Sequence, residues 1–178
     1  MKSFGWDVDE YLKNGTFRIL DCYSALAGVE NPQVRDPVDF TETGIQVTSM
    51  IENAKGGPIM IVMDSIAPIF NGVQPQTTIN FLRALSAKVK NNNGILVLAG
   101  SRGSIPEEVR SNVDNLVDGV IELNAVQKGG STARLISVKR LAGRKTSPVP
   151  AEFEIVTGKG IVFVKRISLK VTHKRQTS

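Results

Sequence analysis

The chain has 178 residues, of which 41% are hydrophobic and 22% are charged, which is the composition of a soluble globular protein. A chain of this length buries enough surface to fold unaided, and its one cysteine and one histidine exclude an internal disulfide, a zinc centre and a His-based catalytic triad. The excess of 22 Lys and Arg over 17 Asp and Glu gives a net charge of +5, which suits a polyanionic partner and equally serves solubility.

The sequence carries no sign of a membrane segment or of a second domain. It has no apolar stretch near the ~20 residues that a membrane helix needs, and no N-terminal secretion signal. It also lacks repeats, low-complexity tracts and Pro/Ser-rich linkers. We therefore predict a cytoplasmic protein with no membrane partner, built as a single domain over residues 1–166 with a basic C-terminal tail over residues 167–178.

The N-terminal part of the chain predicts two helices on either side of a strand and a loop. A short helix over residues 7–13 precedes a strand over residues 17–23, and residues 24–38 form a loop. Asp39 is predicted to cap the next helix, with Glu42 placed three residues later as in a capping box, and the helix is expected to end at Gly56 and Gly57. Its predicted apolar face consists of Ile45, Met50, Ile51 and Ala54.

Two continuous apolar runs predict the centre of a parallel sheet. Residues 59–63 and 95–99 show no polar alternation, which is typical of strands buried on both faces. A helix over residues 77–91 connects them, and a short helix that begins at Pro106 follows the second run. The connecting helix carries an apolar stripe of Ile79, Leu82, Leu85 and Val89.

The C-terminal part changes from alternating elements to consecutive strands. Four short extended runs are separated by glycine-rich turns, which predicts antiparallel hairpins. The runs are residues 117–123, 133–141, 152–156 and 160–166. The predicted fold class is therefore α/β, with a mostly parallel sheet flanked by helices and an antiparallel extension at the C-terminal end.

Asp64 is the most informative candidate for a functional residue. A carboxylate at the carboxyl end of a buried strand lies where open α/β sheets bind ligands. Five apolar residues followed by Asp64 and Ser65 form the pattern of a Walker B strand, whose acid holds a Mg²⁺ on nucleotide phosphates. An acid that only caps the turn after the strand has the same spacing. The phosphate-binding motif G-x-x-x-x-G-K-[ST] and the motif G-x-G-x-x-G are both absent from the 178 residues.

Further polar residues offer weaker candidates for anion binding. Ser101 follows the second buried run and is expected to lie beside Asp64 if the two strands are neighbours. Lys139, Arg140 and Arg144 cluster on a predicted strand and the loop after it, where they form either an anion site or an exposed basic face. The basic tail has no interleaved aromatic residues to stack on bases, so a solvated tail explains it as well.

Five blocks in order along the chain carry a resemblance to a known family. They read Ser-Phe-Gly-Trp-Asp at 3–7, Arg-Ile-Leu-Asp at 18–21, Ile-Val-Met-Asp-Ser at 61–65, Val-Lys-Arg at 138–140 and Gly-Lys-Gly-Ile-Val at 158–162. In this order and spacing, over nearly all of its length, the chain resembles the KaiC-like branch of the RecA superfamily. The resemblance implies a RecA-like core and ATP bound between adjacent subunits of a ring or filament.

The resemblance also implies roles for individual residues. Asp64 matches the Walker B acid, which binds metal only through a nucleotide-bound Mg²⁺, and Ser65 lies beside it. Ser101 falls near the end of the family's sensor strand, and Lys139 matches a basic residue that reaches the neighbouring subunit's nucleotide. The family has an arginine two residues after that lysine, where this chain has Leu141, so Arg140 and Arg144 are the nearest substitutes.

Family members begin with segments that this sequence does not contain. They start with a P-loop strand and helix and continue to a strand that ends in catalytic glutamates, which implies two β-α units of roughly 30 residues each before Met1. Phosphoryl transfer depends on positioning and electrostatic stabilisation of the phosphates. We therefore expect no catalytic residue in this chain, negligible independent ATPase activity and no cofactor for the chain alone. Mg-ATP is expected only if another segment or chain supplies a P-loop.

Three functions are compatible with these observations. The first is a non-catalytic KaiC/RecA-like ATPase domain that serves as a regulatory or assembly module, whose partner is a second copy or another RecA/KaiC-like subunit. It predicts an unpaired strand edge at residues 117–123, through which copies self-associate. The second is the C-terminal part of a longer or composite P-loop ATPase, in which Met1 is an internal methionine. The third is a nucleic-acid-binding recombinase paralogue, which the charge of +5 suggests.

Overall fold

The computed structural model describes residues 4–25, 27–30, 32–54, 56–70 and 72–166. Ser3 and the basic tail predicted over residues 167–178 lie outside the described residues. The chain divides into two compact units, of which Asp9–Leu116 forms the parallel unit, and Met1–Val8 together with Val117–Ser178 forms the antiparallel unit. That they act as one domain over residues 1–166 stays a prediction.

The described residues of the parallel unit form helices, a 3₁₀ turn and a two-stranded sheet. Its elements are α1 (Asp9–Lys13), α2 (Phe40–Glu52), β1 (Met60–Asp64), a 3₁₀ turn (Pro68–Phe70), α3 (Pro75–Asn91), β2 (Ile95–Ala99) and α4 (Glu107–Leu116). β1 and β2 pair in parallel, from Met60 opposite Ile95 to Asp64 opposite Ala99. The two apolar runs therefore form parallel strands, as predicted, and the two strands are neighbours.

The antiparallel unit is a four-stranded sheet in chain order. Its strands are β3 (Gly119–Lys128), β4 (Ser131–Leu141), β5 (Ala151–Val156) and β6 (Gly160–Arg166), and each pairs antiparallel with the next. Gly129 and Gly130 form the two-residue turn between β3 and β4, with φ of +55° and +83°, values that glycine adopts without steric cost. The α/β class with an antiparallel C-terminal extension is thereby confirmed.

The core of the parallel unit lies on one side of its sheet, beneath α3. The predicted stripe of α3 is confirmed, since Ile79, Leu82, Leu85 and Val89 are all buried. Leu82 belongs to a cluster with residues of the 3₁₀ turn and α4, whereas Leu85 and Val89 join a second cluster with α2. In the part of the chain that the structure describes, no helix has both the length and the apolar character to span a bilayer.

The strand predicted at residues 17–23 does not form, because its backbone donors find local partners in place of a neighbouring strand. The Gln33 side chain accepts from the Asp21 amide at 2.9 Å. The Asp21 carboxylate in turn accepts from the amides of Tyr23 and Ser24 at 2.8 and 3.0 Å, which closes a turn. The first helix also begins at Asp9, two residues later than predicted.

The second helix differs from its prediction at both ends and on its buried face. Asp39 is the N-cap as predicted, but Glu42 accepts from the Arg35 amide at 2.9 Å and does not complete a capping box with Asp39. Ile45, predicted on the apolar face, is 63% exposed. The buried positions of α2 are four residues apart, which keeps them on one side of the helix: Thr43, Val47 and Ile51. The helix ends at Glu52, before the glycines.

The prediction that both faces of the two central strands are buried is wrong for the described chain. Ile61, Met63, Leu96 and Leu98 pack against the core clusters. The alternate side chains face outward and are 40–64% exposed: Met60, Val62, Ile95 and Val97. An apolar run indicates that both faces of a strand can be buried. Which faces are buried depends on the helices and strands that pack against them.

The core beneath α3 generates a stability prediction. Leu82 is fully buried, so the substitution Leu82→Ala leaves a cavity and is expected to lower the free energy of unfolding by about 2–5 kcal/mol in urea titrations. Ile45→Ala on the exposed face of α2 serves as the control and is expected to change that free energy by less than about 0.5 kcal/mol. Equal losses for the two variants would contradict the placement of the core.

Candidate functional site at the carboxyl edge of the parallel strands

Asp64 ends β1 opposite Ala99, the last residue of β2. Side chains alternate between the faces of a strand, so Asp64 shares its face with Met60 and Val62, and all three are exposed. The carboxylate therefore stands at the carboxyl edge of the parallel pair and is open to solvent. This is the edge at which open α/β sheets bind their ligands.

Two serines follow the strand ends at the same edge. The Ile66 amide donates to the Ala99 carbonyl oxygen at 2.9 Å, which holds the chains together one step beyond the ladder and keeps Ser65 at the edge. Ser101 comes two residues after Ala99, in a turn where its carbonyl oxygen accepts from the Ser104 amide at 3.1 Å and from the Ser104 hydroxyl at 2.6 Å. Because the strands are neighbours, Asp64, Ser65 and Ser101 share one edge of the sheet.

The oxygen atoms of this edge fit only part of a metal-nucleotide site. Mg²⁺ prefers oxygen ligands and is commonly held by one or two carboxylates together with substrate phosphates and water. The Asp64 carboxylate and the serine hydroxyls are oxygen ligands of the type that Mg²⁺ prefers. The described residues offer no metal site made of protein ligands alone, because no group of three His, Cys, Asp or Glu residues that could hold a metal occurs among them. A P-loop that could cradle phosphates is absent from the sequence.

The basic candidates do not converge on one point. Lys139 and Arg140 are consecutive residues of β4 at a bulge, where Arg140 is paired with Val120 and Val138 with Ile121. The Lys139 ammonium lies 3.3 Å from the Glu122 carboxylate, and the Arg140 guanidinium donates to the Val117 carbonyl oxygen. Arg144 is exposed in the loop after β4. The first two residues are adjacent in sequence, but each binds a different partner.

Two of the sequence blocks that carry the family resemblance meet in the antiparallel unit. Trp6 lies against Gly160 so closely that a Cβ on the glycine would be 3.3 Å from the indole ring. Phe4 stacks on Trp6 with ring centroids 5.4 Å apart. The Gly-Trp block therefore supports the β5–β6 turn, and its role in this unit is structural packing.

The Asp21 turn, which belongs to another of these blocks, affects its neighbour electrostatically. The Ser24 hydroxyl, followed by the Tyr23 and Ser24 amides, lowers the pKa of the Asp21 carboxyl by hydrogen bonding to its charged form. Partial burial, followed by the negative charge of Asp21, raises the pKa of the Cys22 thiol. The thiol is therefore kept protonated at neutral pH.

A parallel sheet with an acid at its carboxyl edge, followed by antiparallel strands, defines a RecA-like α/β protein of the P-loop class. The family model described as the KaiC ATPase matches residues 1–168, and the chain belongs to the KaiC ATPase family. The resemblance drawn from the five blocks is thereby confirmed.

Curated relatives in this family are UPF0273 proteins. The protein of Aeropyrum pernix is 28% identical over 185 residues, which cover 97% of this chain and 71% of that protein. The protein of Thermotoga maritima is 28% identical and covers 92% of this chain and 68% of its own length, and that of Sulfurisphaera tokodaii is 26% identical and covers 97% and 61%. The chain thus spans between three fifths and three quarters of these relatives.

A solved structure of a KaiC-like protein from Pyrococcus horikoshii shares the fold. It superposes with a TM-score of 0.68 at 21% sequence identity and covers 92% of this chain and 69% of its own. At this identity the match establishes the fold alone. It confirms the RecA-like architecture that the family resemblance implied.

The Cys22 environment generates a reactivity prediction. Because the thiolate is the nucleophile, Cys22 is expected to react several-fold more slowly with iodoacetamide in the folded chain than in urea at the same neutral pH, as measured by mass spectrometry. Asp21→Asn removes the adjacent charge and should accelerate the reaction. Asp36→Asn, at a similar turn where Asp36 accepts from the Val38 amide, is the control and should leave the rate unchanged.

Proposed function

We propose that this chain is a non-catalytic KaiC-like module that takes part in the assembly or regulation of a larger RecA-like complex. The observation that carries the proposal is the lone acid at the carboxyl edge of the parallel strands, in a sequence without a phosphate-binding loop. Positioning of the phosphates and stabilisation of their charge account for nearly all of phosphoryl-transfer catalysis. A single carboxylate with two nearby serines supplies neither.

The strand edges support the assembly part of the proposal. Among the described strands, β2 pairs only with β1 and β3 pairs only with β4, so each has one open edge. An open edge presents a row of backbone donors and acceptors to another chain. The outward side chains of the parallel pair, including Met60 and Val62, add exposed apolar surface beside one such edge.

The proposal predicts that the chain does not bind Mg-ATP on its own. Calorimetric titration is expected to show no heat of binding at micromolar concentrations for the natural chain, and the same for Asp64→Asn. Asp36→Asn serves as a charge-matched control away from the strand edge. Micromolar binding by the natural chain that is lost in Asp64→Asn and kept in Asp36→Asn would overturn the non-catalytic assignment.

A second candidate is one part of a composite ATPase, and the open edge of β2 favours it. Parallel strands that lie side by side end at the same edge of the sheet. A P-loop strand added in parallel beside β2 would therefore place its phosphate-binding loop at the edge that holds Asp64. In this arrangement Asp64 and Ser65 would face a nucleotide-bound Mg²⁺ that the added segment delivers.

Co-expression with a P-loop-bearing segment of a KaiC-like protein tests the second candidate. The reconstituted pair is expected to hydrolyse ATP in a Mg²⁺-dependent assay, and Asp64→Asn is expected to reduce the rate by about 10²-fold or more. The same segment with its P-loop lysine replaced by alanine is the control. A pair that co-purifies but hydrolyses no ATP would rule out the composite enzyme and favour the assembly module.

A further inference from the structure

The four-stranded antiparallel sheet carries an apolar band across one of its faces. Residues that are paired across neighbouring strands share a face, and four such pairs define the band. They are Ile121 with Val138, Leu123 with Ile136, Phe153 with Phe163, and Ile155 with Ile161. The pairing of Ile136 with Ala151 joins the two halves, so the band crosses all four strands.

The polar residues of the sheet lie mostly on its other face. Glu122 forms an ion pair with Lys139 at 3.3 Å, and Lys128 forms one with Glu152 at 3.2 Å. An antiparallel sheet of this kind normally turns its polar face to solvent and packs its apolar face on a core. Here Phe153 is buried within the apolar band, but the side chains around it are not.

Five side chains of the band are more than half exposed. Their exposed fractions are 64% for Ile121, 60% for Leu123, 63% for Phe163, and 51% each for Ile155 and Ile161. At roughly 100 Å² of accessible surface for each, they present about 500 Å², near the upper end of the largest apolar patch on a typical monomer. Two such faces in contact would bury about 1,000 Å² in total, the lower limit for a specific protein–protein interface.

Polar residues border the apolar band at one end. Gln127, Thr132 and Arg134 lie on the same face at the end nearest the β3–β4 turn, and the Gln127 amide donates to the Thr132 hydroxyl at 3.0 Å. Arg134 is exposed and can extend its guanidinium to solvent while its methylene groups cover apolar neighbours. An apolar centre with a polar rim is the usual composition of a protein–protein contact.

We infer that a second copy of this chain docks on the apolar band, sheet against sheet about a two-fold axis. A two-fold contact uses the same patch on both copies, so an apolar patch of adequate area is its own complement. Sheets packed face to face lie about 10 Å apart with interdigitated side chains, as in a β-sandwich. The inference rests on the proposed assembly role and specifies the surface through which copies assemble.

Sedimentation of the full chain at several concentrations tests the interface. The natural chain is expected to form dimers, and Leu123→Lys and Phe163→Lys are each expected to raise the dissociation constant by about 30-fold or more, the effect of losing a central contact. The matched control is Asn124→Lys, which places the same charge one residue along β3 on the opposite face. This variant is expected to leave the dissociation constant unchanged. Circular dichroism confirms that each variant is folded, and Ile161→Lys replaces any that is not.

Each alternative occupant gives a distinct result. A natural chain that stays monomeric at the highest concentration, or equal weakening by Asn124→Lys and Leu123→Lys, would overturn the inference. Weakening by Leu123→Lys with no effect of Phe163→Lys would overturn it in favour of pairing at the β3 edge. Displacement of the second copy by an equimolar P-loop-bearing segment would assign the band to that segment. Mg-ATP binding that depends on Asp64 would instead overturn the non-catalytic role and leave the interface untouched.

Discussion

The packing of α3 on one face of the β1–β2 pair is the constraint on which the parallel unit depends. Leu82 packs in one core cluster, and Leu85 and Val89 pack in the other, so one helix joins the contributions of α2 and α4. The turn from α3 into β2 has no room for a side chain, because a Cβ on Gly94 would lie 2.5 Å from Ile59 and 2.8 Å from Val89. Glycine at this position lets the helix end directly against the strand that it covers.

The candidate site follows from the strand register that this packing sets. With Asp64 opposite Ala99, the residues that leave both strands emerge together, and the Ile66 amide continues the contact beyond the last pair. The edge therefore presents a carboxylate and two serines. What the edge can do chemically depends on groups that bind phosphate, and the 178 residues contain no P-loop motif to supply them.

Two exposed apolar surfaces support the proposed assembly role. One lies on the outward face of the parallel pair and includes Val62 and Val97, and the other is the apolar band of the antiparallel sheet. Burial of apolar area is the main favourable term in association, whereas exposed ion pairs such as Lys139–Glu122 contribute little. Contacts with other chains are therefore expected on these faces rather than on the polar face of the antiparallel sheet.

The local sequence pattern alone predicted the elements that have a hydrophobic period, a capping residue or a glycine turn. The helix α3 with its apolar stripe, the cap at Asp39, strands at the two apolar runs and the glycine turn at Gly129 all formed as predicted, because their periodicity, cap and turn residues are visible in the local sequence. The position of Asp64 at a strand end could be predicted for the same reason. The family membership was also visible in the sequence, since five short blocks recur in order.

Tertiary structure decided the features that depend on a partner distant in sequence. Residues 17–23 have strand-like composition but no adjacent strand, so their amides bond to side chains such as Gln33 and Asp21. Ile45 is apolar but 63% exposed on α2, and Lys139 and Arg140 are adjacent in sequence but bind different partners. The sequence shows the local conformational preference of each residue. Whether a residue is buried or paired depends on which distant segments pack against it.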